Sequence, residues 1–288
     1  MIKAYRWYGG KFRMVSEINA LTPEHSAYYE PFMGSAAVLL NRKRSQLEVI
    51  NDLDKDLVWF MKTLADREKG AELVERLCKL WYGKEFFMEA LNCKKRNFRG
   101  MSDIDKAVMI YILISQSFNA TRKNFSKGAY ADTQDYRDDI FYNIPKVYER
   151  LKDVKVLNMN GIDLLSKISD KENAFALVDP PYRHSLRGKG ATNVYACELP
   201  HSEQIRLLKT IRKAKCKIML CGYKQTQGRD LYDIYLLPCG WHCYKLCDVV
   251  KSCQTKSEKD IAEEYIWVNY ELPYEAKYVI SLKEHRTI

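Results

Sequence analysis

The sequence predicts an α/β fold: a mostly parallel sheet, closed by an antiparallel C-terminal hairpin and interrupted by a helical insertion. Three observations predict it. Short apolar runs of strand length alternate with stretches of helical periodicity, as in parallel strands joined by crossover helices. Residues 56–150 break that alternation with helical patterns and no convincing strand. Two β-type runs then lie close together near the C-terminus, joined by a short polar link.

Taken in order, "MIKAYRWYGGKFRM" has no uninterrupted apolar core, so no signal peptide is expected. The first strand, "AYYEPF" (27–32), runs into "EPFMGSAAVLLNRK". Glu30, Pro31 and Phe32 end it, Gly34 turns the chain, and Ser35, Ala36 and Ala37 open a helix. Small side chains there let a ligand approach the backbone, and a helix N-terminus offers free N–H groups. The second strand, "LEVIND" (47–52), ends in Asp52. An acid at that tip is placed to accept hydrogen bonds from a ribose diol, with Asp54 as the fallback. The competing reading is local: Asn51 or Asp52 caps a helix beginning near Lys55.

The insertion carries "DLVWFMKTLADREKGAELVERLCKLW" and "DIDKAVMIYILISQSF", both helical in period. A polar stretch from Gln116 to Asp139, mixing basic, aromatic and amide residues, reads as an irregular loop. The expected organisation is one domain from 1–55 and 151–288, with the helical insertion at 56–150. The sheet continues with "VKVLN" (154–158), "FALVD" (175–179) and "KIMLCGY" (217–223). The hairpin is "WHCYKLCDVV" (241–250) and "EEYIWVNYEL" (263–272).

The strand at 175–179 delivers Asp179-Pro180-Pro181-Tyr182 to its tip. Proline has no N–H, so consecutive prolines fix a rigid turn and leave the Pro180 carbonyl unspent on helix or ladder. Asp179 adds a second acceptor and Tyr182 a flat π surface. Two acceptors beside a stacking platform suit an exocyclic amine on a planar base. Its nitrogen is a poor nucleophile because the lone pair is delocalised into the ring. Acceptors on its hydrogens stabilise the positive charge that develops during attack. The bland alternative is a proline-stiffened loop with Asp179 as a cap.

Composition agrees with a nucleic-acid partner. Forty-seven Lys and Arg oppose 37 Asp and Glu, a net charge of +10, and 47% of residues are hydrophobic. Such a surplus suits a polyanion, nucleic acid first and a membrane surface second. No apolar stretch approaches the roughly 18 residues of a membrane span, so a soluble, cytoplasmic protein is expected. Nine cysteines without a secreted framework's spacing point to reduced thiols. Cys239, His242, Cys243, Cys247 and Cys253 lack paired C-x-x-C knuckles, so no metal is expected there. In a strand, Cys239, Cys243 and Cys247 would share one face.

These residues carry a resemblance. "DPPY", preceded by "YEPFMG" and "YRWYGGK", is similar in type and order to the Dam-like adenine-N6 DNA methyltransferases, which use S-adenosylmethionine. "SQSFNA" (115–120), "LCGYKQ" (220–225) and "EEYIWVNY" (263–270) extend it over nearly the whole chain. The resemblance implies a Rossmann-like methyltransferase sheet whose helical insertion recognises the target. It implies that Trp7 and Lys11 contact the donor, Lys11 pairing with the methionine carboxylate. Glu30, Phe32 and Gly34 would frame the donor loop and Asp52 hold the ribose. Asp179 would face donor and target amine, Pro180 and Pro181 complete the motif, and Tyr182 stack on a flipped base.

Three departures from the family pattern are visible. Ala36 stands where F-x-G-x-G has its second glycine. At the acid expected after the third strand, the best match is Asn160, with Asp163 as the alternative. The loop "NATRKNFSKGAY" matches only loosely. Within it, Asn119, Arg122, Lys123 and Lys127 are the candidate DNA contacts, lysines for phosphates and Arg or Asn for base edges. Phe125 would either fill the gap left by a flipped base or anchor the loop to its own helices. The expected partner is double-stranded DNA, bound by a monomer. The rivals are cytosine-N4 methylation, whose family more often has serine at Asp179, glutamine methylation, whose relatives usually carry asparagine there, and a DNA-binding protein that has lost catalysis.

Overall fold

A computed structural model describes residues 1–128, 130, 132–186, 197–225, 227–250, 261–274 and 276. Its first elements are α1 (Val15–Leu21), β1 (Ala27–Glu30), α2 (Ala37–Leu40), β2 (Leu47–Asn51) and α3 (Lys55–Ala65). Helices α4 (Arg67–Leu77), α5 (Lys84–Lys95), α6 (Asp103–Ser115) and α7 (Thr133–Leu151) follow. Then come β3 (Lys155–Leu157), α8 (Gly161–Ile168), β4 (Ala174–Val178), α9 (His201–Ile211) and β5 (Lys217–Tyr223). The last are α10 (Leu231–Leu236), β6 (His242–Val250) and β7 (Ile261–Val268). Among the described residues no helix is long and apolar enough to cross a membrane.

The chain divides into two compact units. The first comprises Met1–Arg13, Met33–Lys43 and Asp52–Asn158; the second, Met14–Phe32, Arg44–Asn51 and Met159–Ile288. The helical unit is therefore wider than an insertion at 56–150, since it also takes in the N-terminal loop and the glycine loop.

Helix starts in the first unit follow side-chain capping. Asp54 caps α3 by accepting from the backbone of Asp56 and Leu57, and Asp66 caps α4 through Glu68 and Lys69. Asp66 thus splits the first helical run, which reads as continuous in the sequence. Ser102 and Asp105 bond reciprocally across the first turn of α6. Asp132 caps α7, so the loop that reads as extending to Asp139 ends there.

In the second unit the strands lie in the order β2-β1-β4-β5-β7-β6. β2, β1, β4 and β5 are parallel; β7 is antiparallel to β5, and β6 to β7. Every residue of β4 is buried, as its continuous apolar run requires of a strand covered on both faces. The hairpin does close the sheet, with β7 inserted between β5 and β6.

One expectation fails inside β6. Cys243 pairs with Trp267, but a register shift between Lys245 and Cys247 sets Cys247 opposite Glu264. An added residue reverses side-chain alternation, so Cys243 and Cys247 stand on opposite faces. Cys239 lies in a short 3-10 turn before the strand. Cys253 lies outside the described residues.

Candidate active site

The first unit holds the glycine-loop residues. Gly34 has φ +48°, and a Cβ there would come within 2.7 Å of Trp7 Nε1. Only glycine lets the indole pack against this loop. Ala36 is also left-handed, with φ 52°, at the position where the family pattern has glycine. The Tyr5 hydroxyl donates to the Gly34 carbonyl at 2.9 Å, and its ring meets Trp7 edge-on.

Asp52 leaves the end of β2. Its Oδ2 accepts from Gly34 N–H at 3.1 Å and its Oδ1 from Asp54 N–H at 2.9 Å. Burial pushes its carboxyl up from 3.8 to about 6, the backbone donors only partly offsetting this. Lys11 is buried, and its ammonium donates to the Gly9 carbonyl at 3.3 Å. Trp7, Gly34 and Asp52 are thus brought together within the unit.

Arg122, a candidate base reader, has its guanidinium engaged within the unit. It is buried, with Nη1 3.0 Å from Asp54 Oδ1 and 3.3 Å from Asp56, and Nη2 on Asp54 Oδ2. Burial would raise the Asp54 carboxyl, but the Arg122 bonds outweigh it and hold the group low. Asp54 is consequently an ion-pair anchor and helix cap. The loop holding Arg122 is tightly built. Asn119, Ala120 and Arg122 all have positive φ, and Ser117 Oγ accepts from Arg122 N–H at 2.9 Å. Phe125 packs on Tyr82 and Phe87 with centroids 5.3 and 5.9 Å away, which anchors the loop to its own helices. Lys123, Asn124 and Lys127 are exposed, and Asn119 is half-buried.

In the second unit Glu30 is buried at the end of β1, accepting from the Tyr28 hydroxyl at 2.7 Å. Phe32 packs over Gly161, where a Cβ would lie 2.8 Å from its ring. Asn160 caps α8, its Oδ1 accepting from Ile162 N–H at 2.8 Å. Asp163 instead pairs with Arg206 on the surface. Asn51, absent from the predicted set except as a cap, is fully buried. Its Nδ2 donates to the carbonyls of Pro31 and Met159, and its Oδ1 accepts from Met159 N–H. One amide thus ties together the chain leaving β1 and the chain entering α8.

Asp179 follows β4 and is half-buried. The Pro181 carbonyl accepts from Gln204 Nε2 at 2.8 Å, and Gln204 Oε1 accepts from the buried Tyr232 hydroxyl at 2.7 Å. Arg183, the next residue after the motif, is buried on Asp230 and donates to the Tyr223 carbonyl. The motif is therefore braced at two points, both unforeseen from sequence. Gln204 and Asp230 lie more than twenty residues downstream in stretches with no motif of their own. Among the described residues none donates to the Pro180 carbonyl, and the Asp179 carboxylate stands on the adjacent residue.

Comparison with known proteins finds methyltransferases. A type II methyltransferase of Lactococcus lactis subsp. cremoris is 24% identical over 253 residues, covering 79% of this chain and 83% of its own. A DNA adenine methylase of Haemophilus influenzae is 24% identical over 247 residues, covering 79% and 82%. A DNA N-6-adenine-methyltransferase of Escherichia phage P1 is 25% identical over 242 residues, 79% of this chain but 30% of the relative. The profile of the D12 class N6 adenine-specific DNA methyltransferases matches residues 7–245, and the chain belongs to that family of enzymes.

Proposed function

We propose that the chain transfers a methyl group from S-adenosylmethionine to N6 of an adenine flipped out of double-stranded DNA. The observation that carries the reading is Asp179 beside the Pro180 carbonyl, two acceptors next to the Tyr182 ring. Both would take hydrogen bonds from the exocyclic amine, stabilising the positive charge on nitrogen as it attacks. When bound, the donor would supply an electrophilic methyl group.

The chain's residues fit that donor. Each Asp52 oxygen already accepts one backbone N–H and keeps a lone pair for a ribose hydroxyl. Lys11 offers a buried ammonium suited to the methionine carboxylate. Trp7 and Gly34 form a close-packed wall that admits no further side chain. Glu30, Phe32 and Asn160 shape the loops after the strands, Asn160 through its cap on α8 and Glu30 through Tyr28.

Recognition falls to the loop after α6. Lys123 and Lys127 are exposed and suit phosphates, and Asn119 is the candidate base reader. We assign Arg122 to holding this loop rather than to base contact, because its guanidinium is engaged by Asp54 and Asp56. Incubating duplex DNA with methyl-labelled S-adenosylmethionine, then digesting it to nucleosides, tests the proposal. Label in N6-methyladenine is expected; label in N4-methylcytosine, or none in DNA, contradicts it.

A further inference from the structure

Strand β7 carries a carboxylate whose place the motif does not explain. Glu264 is 1% exposed. A buried carboxylate is costly unless hydrogen-bonded, and this one accepts the Tyr182 hydroxyl. The Tyr182 ring meets Tyr223 edge-on, with centroids 4.7 Å apart and planes at 72°. Tyr223 and Glu264 are directly paired between β5 and β7, so their side chains stand on one side of the sheet. Cys221, two residues before Tyr223, shares that side. A carboxylate oxygen of Asp179, the Cys221 sulfur and a carboxylate oxygen of Glu264 all lie within 4.8 Å of one another.

Stacking on a base uses the π face of a ring, so phenylalanine would serve as well as tyrosine. The Tyr182 hydroxyl must therefore contribute something else. We propose that Glu264 is a positioning residue for the target base. By accepting the Tyr182 hydroxyl, with Tyr223 against the ring edge, it fixes the plane on which the flipped adenine stacks beside Asp179. The inference rests on Tyr182 being the stacking platform, as proposed above.

A double-mutant cycle tests it. Glu264→Ala and Glu264→Gln are made in the wild-type and Tyr182→Phe backgrounds. Once the methylated adenine is mapped, a duplex carrying 2-aminopurine there reports stacking. Glu264→Ala should lower kcat roughly tenfold or more, as for loss of a hydrogen bond to a charged group. It should raise 2-aminopurine emission and leave donor affinity unchanged. Glu264→Gln, whose carbonyl still accepts, should recover most of the turnover and quenching. In the Tyr182→Phe background Glu264→Ala should add little. An equal loss of kcat in both backgrounds overturns the inference, as does unchanged emission in the wild-type background. If Glu264→Ala fails to bind donor, Tyr182→Phe alone carries the test, and wild-type kcat and emission in that variant overturn it. Tyr182→Ala separates the two levels. Unaltered emission there removes the stacking platform itself, whereas altered emission there with none in Glu264→Ala removes only the role of Glu264.

Discussion

The backbone N–H of Gly34 donates to Oδ2 of Asp52 at 3.1 Å, joining the glycine turn to the acid at the tip of β2. Burial holds that carboxyl at about 6, above its ordinary 3.8. A raised folded value means the fold favours the protonated acid. This contribution to stability is fully present below 3.8 and is lost as pH rises through about 6. In the proposed site ribose hydroxyls would donate to the ionised form, so donor binding would run the opposite way. Affinity for S-adenosylmethionine should weaken as pH falls below about 6, with release of up to one proton per donor bound. Calorimetry in two buffers of different ionisation enthalpy reads that proton directly. Binding without proton release below pH 6 would place the ribose elsewhere.

Gly34→Ala should damage the same region sterically. A left-handed alanine costs about 1–2 kcal/mol, and the new Cβ would meet Trp7 Nε1 at 2.7 Å. Because the indole must move, donor affinity should fall by more than this strain alone. Parallel melting curves and donor titrations check it; an unchanged dissociation constant would clear Trp7 of donor contact.

Arg122→Ala should act on folding. It leaves the Asp54 carboxylate buried without its counter-charge, a loss of about 3–5 kcal/mol for a broken buried pair. Arg122→Lys should rescue only in part, since an ammonium cannot span both Asp54 oxygens as the guanidinium does. Denaturant unfolding measures both. Wild-type stability in Arg122→Ala with relaxed sequence preference would return the residue to base reading.

Lys123→Ala, by contrast, should leave stability unchanged. If this exposed cation neutralises a phosphate, as proposed, its removal should weaken binding to every sequence and reduce the salt slope by about one unit. DNA titrations across a range of salt concentrations test this, and an unaltered slope would move phosphate binding away from this side chain.

The strands were legible because parallel strands buried on both faces leave continuous apolar runs, as at Ala174–Val178. The places of Asp179 after β4 and of Gly34 in its turn were legible because the signals are local: a proline pair and a turn glycine announce themselves in sequence. Arg122 was not. Whether a basic loop residue faces solvent depends on a carboxylate 68 positions away at Asp54, and no periodicity encodes that. The same holds for Glu264, whose place beside Tyr182 comes from strand register with Tyr223. The cysteines of β6 were misplaced for a related reason, since a single register shift reverses parity without a glycine or proline to mark it.

Asp179 is proposed to act on the target amine in the transition state. The direct test is single-turnover methyl transfer by Asp179→Ala, with donor and DNA affinity measured on the same preparation. A rate about 10²–10³ lower is expected, the usual effect of removing one such group, with a folded protein that still binds DNA. A near wild-type rate of N6-methyladenine formation by this variant would contradict it.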